Sequence, residues 1–274
     1  MTKKRAFYLC KNVVKTSAGE EINTSPIVIW LKKSEARCRL YHYTNVDALL
    51  KILTTKRFKF SRIDRVNDPL ERLYLQDNDM YRRIFVSCFN HSDSESIPLW
   101  KVYTQKGLGV RLGLFFCEDN IQNHFVDHDR TFLDSSNKEI DWLNNRLGQA
   151  VSGAYFKIND VLYTNDRIFG SSSKEGEYID YMPDLMGITK SPIWEYEDET
   201  RLVLCIVNDE IENHDYDCFY VPFDTKQLEH IEIRFDPWMS DELISCLQFG
   251  IKHSLENDEL NVLFVASELK GRIV

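Results

Sequence analysis

The chain has 274 residues, 43% of them hydrophobic and 28% charged, with 11 glycines and 7 prolines. Those proportions belong to an ordinary globular protein, long enough for one large domain or two small ones, and they argue against long flexible linkers. A formal charge of −9 argues against broad phosphate-backbone binding driven by counterion release, although Lys56, Arg57, Lys59 and Arg62 crowd into one short basic stretch.

Seven cysteines are present, an odd number, and none forms a CxxC pair. Most sit in apolar runs such as VSCF and LVLCIV, as expected of free thiols in a reducing cytoplasm. The opening MTKKR is not followed by the apolar stretch of a signal peptide. No run approaches the ~20 apolar residues of a membrane span. The expectation is a soluble cytoplasmic protein with no membrane partner.

Residues 1–38 are mixed in character, with one expected strand at PIVIWL, and read as an N-terminal extension to a single domain over 39–274. RLYHYT follows as an alternating strand. Asn45 can cap a helix over VDALLKIL, where Val46, Leu49, Leu50 and Leu53 recur at helical spacing. FKFSR reads as a short strand, and Asn67-Asp68-Pro69 as a turn that no strand can continue through. A helix is expected over 73–81, a buried strand at RRIFVSCFN, a short helix at SIPLWKVYT and a glycine-entered strand at GLGVRLGLFF. The polar stretch 118–150 is expected to be partly helical, with no topology assigned. One strand is expected over 151–165, then a polar loop at SSSKEGEYIDY. Lys190-Ser-Pro then leads into a strand over WEYEDETRLVLCIV. Residues 216–223 read as a further strand, and HIEIRF, a helix over 240–255 and NVLFVAS as a β-α-β tail. Strands and helices interleave without the regular helices of a doubly wound sheet, so the expected fold class is α+β.

The most informative stretch runs from Trp194 to Arg201. On a strand, Glu197, Glu199 and Arg201 project to one face, joined by Glu195 if the strand starts that early. A same-face acid pair repels unless something offsets it. Such a pair can bind sugar hydroxyls and stabilise positive charge developing at a sugar carbon; taken alone, a solvated strand edge with Glu–Arg pairing is the simpler account. His42 at a strand end can hydrogen-bond ribose hydroxyls and Tyr43 can stack on a planar ring, with plain aromatic packing again the simpler account. Asn67, Asp68 and Glu71 suit a structural turn, or a pocket wall beside Arg62. Ser87 or Asn90, with Trp100, Tyr103, Gly107 and Gly109, can build a nucleotide cleft or a packed turn. His124 and His128 are spaced i, i+4, but no third ligand accompanies them; a solvated face explains them and no metal is expected. GLGVRLG lacks the dinucleotide-binding spacing, and neither a phosphate loop nor a GxSxG elbow occurs.

In order, YHYT, its helix, FKFSR, NDPLE, FVSCFN, W-x-x-Y, G-x-G-V and K-S-P-x-W-x-Y-E-x-E-x-R-L resemble a bacterial family catalogued as domain of unknown function 2971. The likeness runs from Leu40 to beyond Phe235, and its last block is the most specific. That family is grouped with ADP-ribosyltransferase-like folds, which hold NAD in the cleft of a split, mostly antiparallel sheet with flanking helices. The resemblance implies that Glu199 stabilises an oxocarbenium-like transition state, with Glu197 assisting or taking the lead. By the same resemblance His42, in a first motif that reads His42-Tyr43-Thr44, would hold ribose hydroxyls. Tyr43, Trp100 or Tyr103 would pack on nicotinamide or adenine. Arg62 or Arg201 would meet the pyrophosphate or brace the acids, and Asn67, Asp68 and Ser87 would complete the NAD-binding set. The implied activity is NAD-dependent mono-ADP-ribosylation of a macromolecule, nucleic acid or protein, in a toxin or phage-defence role, with an antitoxin or regulatory protein as a further partner. NAD glycohydrolysis and a non-catalytic binding module on the same fold are the alternatives.

Overall fold

The structure is a computed structural model, and it describes residues 4–8, 13–15, 21–23, 28–32, 39–68, 71, 80–104, 107–117, 125–126, 131–140, 154–163, 187–206, 211, 215–256 and 260–272. Four short strands come first: β1 (Lys4–Tyr8), β2 (Val13–Lys15), β3 (Glu21–Asn23) and β4 (Val28–Lys32), the last where PIVIWL is expected to be extended. β1 pairs with β4 and β2 with β3, apart from the main sheet.

From residue 39 the alternating and helical patterns become elements as expected. β5 (Arg39–Asn45) leads directly into α1 (Val46–Thr55). The Asn45 Oδ1 accepts from the Ala48 N–H at 2.9 Å, which satisfies one of the orphan donors of the first turn. Leu49, Ile52 and Leu53 are the buried stripe of this helix. It stops at Lys56, whose backbone is left-handed (φ 53°) and whose N–H returns to the Ile52 carbonyl. The chain then turns back as β6 (Arg57–Arg62).

β7 (Ile84–Asn90) is the axis of a mostly antiparallel sheet of ten strands among the described residues. One edge of β7 pairs along its length with β13 (Glu199–Ile206), which pairs in turn with β10 (Ala154–Asp160). The other edge is shared. β5 meets it at Tyr41–Asn90, whereas β6 meets it at Ser61–Val86 and Arg62–Phe85. Over Ser87, Cys88 and Phe89 neither neighbour follows β7, so the sheet opens there. β5 continues into β8 (Gly109–Phe116) and β15 (Leu228–Phe235); β6 continues into β14 (Cys218–Pro222) and the two-residue β9 (Leu133–Asp134). α1 bridges the two diverging banks. The short helix expected at SIPLWKVYT is α2 (Ile97–Tyr103), capped by the Ser96 hydroxyl. The β-α-β tail forms as expected, with α3 (Asp241–Ser254) linking β15 to the parallel β16 (Val262–Val265).

Alternation along these strands divides the sheet into two faces. Leu40, Phe58, Phe60, Phe85, Phe89, Leu112 and Leu204 belong to a large hydrophobic core. The opposite face carries Tyr41, Tyr43, Cys88, Asn90, Glu199 and Arg201, and a small cluster of Tyr43, Leu99 and Trp100 packs there.

Three expectations change. The strand expected over 151–165 is broken at Val161, whose N–H donates to the Glu199 carbonyl at 2.9 Å. Its continuation, β11 (Leu162–Tyr163), pairs instead with β12 (Thr189–Lys190). The strand expected to start at Trp194 starts only at Glu199, because Pro192–Glu197 forms a 3₁₀ turn. Of the helix expected over 73–81, residues 72–79 lie outside the described residues, and Met80–Arg83 forms a 3₁₀ turn. Most of 118–150 and the SSSKEGEYIDY segment also lie outside them. No helix of the described residues is long and apolar enough to cross a membrane.

Candidate active site

The opening in the sheet is a cavity of about 740 Å³. Its base is Val86 to Asn90 of β7, its banks are β5 and β6, and α1 closes the far side. Glu199, Glu197 and Tyr103 stand on the wall beside β7. The volume lies within the range of small-molecule sites, about 300–1,000 Å³.

The acids reach this wall by a route the strand pattern does not give. Pro192 begins the 3₁₀ turn, Glu197 ends it, and Asp198 takes a left-handed backbone (φ 43°) before β13 begins. Asn90 pins the corner, its Nδ2 donating to the carbonyls of Glu197 and Asp198 at 2.8 and 3.2 Å. The two carboxylates therefore converge although Glu197 is not on the strand. Glu195, before the corner, is exposed and does not join them.

Lys190 sits between the acids, its Nζ donating to Glu197 Oε2 at 2.5 Å and to Glu199 Oε2 at 3.1 Å. Arg201 donates to Glu199 from Nε at 2.7 Å and to Glu71 in a two-pronged contact. The Tyr103 hydroxyl donates to Glu197 Oε1 at 2.6 Å and accepts from Asn67 Nδ2 at 2.7 Å. The Glu199 N–H donates to the Tyr163 hydroxyl at 2.9 Å. Three acids, Glu71, Glu197 and Glu199, thus face two cations, Lys190 and Arg201, all nearly inaccessible to water.

That imbalance separates the two glutamates. Burial alone would raise the Glu199 carboxyl, but the charges of Arg201 and Lys190 outweigh it and hold the group at about 2. Burial raises Glu197, and its bonds from Lys190 and Tyr103 do not cancel the effect. One acid is thus kept ionised while the other is moved towards proton exchange, the pattern that divides roles between paired carboxyls. Burial opposes the Lys190 charge, yet the adjacent glutamates win and raise it. Burial and the Glu197 bond both raise the Tyr103 hydroxyl, which stays a donor.

The other expected site residues fall into two groups. Tyr43, Thr44 and Ser87 line the cavity, and the Tyr43 hydroxyl accepts from the Ser96 N–H at 3.0 Å. His42 lines it too, with Nδ1 2.8 Å from the Cys88 carbonyl oxygen. Burial lowers its imidazole and keeps it neutral. By strand alternation His42 leans to the core face, against Phe58 and Phe89, whereas Glu199 stands on the opposite face with Asn90. That departs from the expectation that His42 and Glu199 face one pocket from the same side; they border one cavity only because the sheet is open between them. Of the two strand-end candidates, Asn90 lies opposite Glu199, while Ser87 points to the other face.

Arg62, Arg201, Trp100, Asn67 and Asp68 are not cavity residues. Arg62 has core-face parity and its guanidinium is engaged by Asp64 and Asp215 at 2.6 and 2.5 Å, away from the opening. Arg201 is wholly buried and braces the acids instead. Trp100 packs edge-on against Tyr43 and donates its indole N–H to Glu95, which removes it as a stacking platform. Asn67 acts through Tyr103, and Asp68 Oδ2 accepts from the Ser191 N–H at 3.3 Å. Lys190 and Tyr163 were missed by the sequence reading. The signal for Lys190 was present, a lysine immediately before Ser-Pro and the acid block, but nothing local marks it as buried. His124 and His128 lie outside the described residues. No protein-family model and no curated protein matches the chain.

Proposed function

We propose that the chain is an NAD-dependent mono-ADP-ribosyltransferase acting on a macromolecule, nucleic acid or protein. One observation carries the reading: the sheet opens at β7 into a cavity of dinucleotide-compatible size with a buried acid pair in its wall. The order of motifs, which resembles a family grouped with ADP-ribosyltransferase-like folds and includes the same acid block, suggests the same reading. In this reading the bond between the nicotinamide nitrogen and its ribose carbon breaks, and the electron pair leaves with nicotinamide. Glu199, held anionic, offsets the positive charge that develops at the sugar carbon. The acceptor's nucleophile bonds to that carbon, and its proton passes to Glu197, whose raised carboxyl suits uptake and release. His42 presents Nε2 to the ribose, since Nδ1 is engaged by Cys88.

The test is incubation of purified protein with labelled NAD and cell lysate, followed by nuclease and protease digestion of the product. Transfer of label, reduced about 100-fold or more by Glu199→Gln, is the expected result. Absence of any transfer that Glu199→Gln abolishes overturns the reading. The closed bonding of Glu199, with both oxygens engaged by Lys190 and Arg201, favours a second reading, a binding module with structural acids. Calorimetric binding of NAD with no nicotinamide release would select it.

A further inference from the structure

The cavity is electrically polarised, and its second pole has no role so far. The acids stand beyond β7 on one side. Across the opening, the bank formed by β6 presents Arg57, Lys59 and Ser61, the residues of opposite parity to the buried Phe58, Phe60 and Arg62. Tyr220 of β14 lies directly across from Lys59 in register and also lines the cavity. Carrying on the antiparallel register that sets Ser61 opposite Val86, Lys59 falls level with Cys88, the row of Arg201, and Arg57 with Asn90, the row of Glu199. Two strand spacings, about 10 Å, separate the poles before the widening of the opening is counted.

The cations differ in what already occupies them. Lys51, on α1, is paired with Asp47 at 2.8 Å, and Arg65 with Asp217 at 3.0 Å. Arg57 donates to the carbonyls of Thr55 and Thr131 at 3.2 and 3.1 Å, which fixes its guanidinium against the bank. Lys59 is exposed, and among the described residues no carboxylate lies within ion-pair distance of it. Its ammonium is therefore available to a ligand's oxygens.

We infer that the Lys59 bank, with Arg57 and Tyr220, is the anion subsite of this cavity and takes the diphosphate of a dinucleotide whose sugar end lies at Glu199. The inference rests on the proposed function for the sugar end and adds the direction in which the ligand lies. A ligand with a cationic ring at one end and a diphosphate behind it matches both poles in order: carboxylates face the developing positive charge, and cations face the phosphates. The basic stretch at 56–62 thus has two uses decided by parity: Arg62 belongs to a structural ion cluster, Lys59 to the site. Lysine acts there as a point charge, without the paired geometry an arginine would impose.

The test is calorimetric binding of ADP-ribose, which carries the diphosphate but no nicotinamide, to the full chain. Lys59→Ala should weaken it about tenfold, the loss of one charge-assisted bond, and Lys59→Glu should weaken it further. Lys101→Ala, removing a cation on α2 outside the cavity, should leave it unchanged. Lys59 is exposed, so folding of its variants is not at issue, and circular dichroism confirms it. Unchanged ADP-ribose affinity in Lys59→Glu overturns the inference, as does failure of the wild-type chain to bind ADP-ribose. Loss of binding to a single-stranded oligonucleotide with ADP-ribose affinity intact also overturns it, reassigning the bank to a nucleic-acid acceptor. The two ideas fail separately. Loss of labelling in Glu199→Gln with no effect of Lys59→Glu on ADP-ribose leaves the transferase standing and removes the subsite.

Discussion

Lys190 is 1% exposed and lies within hydrogen-bond reach of both Glu197 and Glu199. Its charge is what lets two carboxylates share a dry wall. Replacing it with methionine keeps the length of the side chain and removes the cation, leaving three buried acids against Arg201 alone. An uncompensated buried charge costs about 3–5 kcal/mol. Lys190→Met is therefore expected to lower the unfolding free energy by about that amount, read from urea denaturation at pH 7. A change below 1 kcal/mol would mean that the acids are not held by this lysine. The acids themselves were legible in the sequence as E-x-E; their cation was not, because burial is a property of the folded neighbourhood rather than of the residue.

At the scale of elements, the corner between the 3₁₀ turn and β13 matters most. It converts a spacing that on a continuous strand would give parallel side chains into two carboxylates converging from different elements. Asp198 makes the corner with a left-handed backbone, which costs an ordinary residue about 1–2 kcal/mol and a β-branched one the most. Asp198→Val is expected to destabilise the chain by about 1–2 kcal/mol, and because the corner aims Glu197, to weaken ligand binding as well. A thermal melt paired with calorimetry reads both effects, and a valine variant as stable as the parent would remove the corner from the account. The same scale explains why no strand begins at Trp194: Pro192 stands just before it, and proline favours the first turn of a helix. Elsewhere local patterns sufficed. Asn45 before VDALLKIL named both the cap and the helix, and alternation in FKFSR gave β6 its buried and open faces.

For the whole molecule, the charge cluster ties elements distant in sequence: Glu71 to Arg201, Tyr103 to Glu197, Asn90 to the 197–198 corner. Its titration should therefore be felt in global stability. The Glu199 carboxyl sits at about 2 in the fold against a reference of 4.5, so its ionisation favours the folded state. That contribution is complete above pH 4.5 and is lost as pH falls towards 2. Glu197 is shifted the other way, so its contribution is present below pH 4.5 and is lost as pH rises through its folded value. The net expectation is a steep loss of stability between pH 4.5 and 2 that shrinks in Glu199→Gln, measured as urea midpoints across that range. Parallel acid limbs in the two proteins would show that Glu199 is not held ionised by the fold.

What the sequence determined by itself was local: an α+β chain, the alternating strands, the capped helix after His42-Tyr43-Thr44, the β-α-β tail and a same-neighbourhood acid pair. Each of these follows from side-chain period, capping and turn chemistry within a few residues. Only the tertiary structure decided that β5 and β6 leave the same edge of β7 at different ends, and so that a cavity exists at all. It also decided that His42 and Glu199 reach that cavity from opposite faces, that Arg62 is structural while Lys59 is open, and that Lys190 lies between the acids. The reason is that hydrogen-bond register between distant strands, and the burial that follows from it, depend on contacts many tens of residues apart, which no local period encodes.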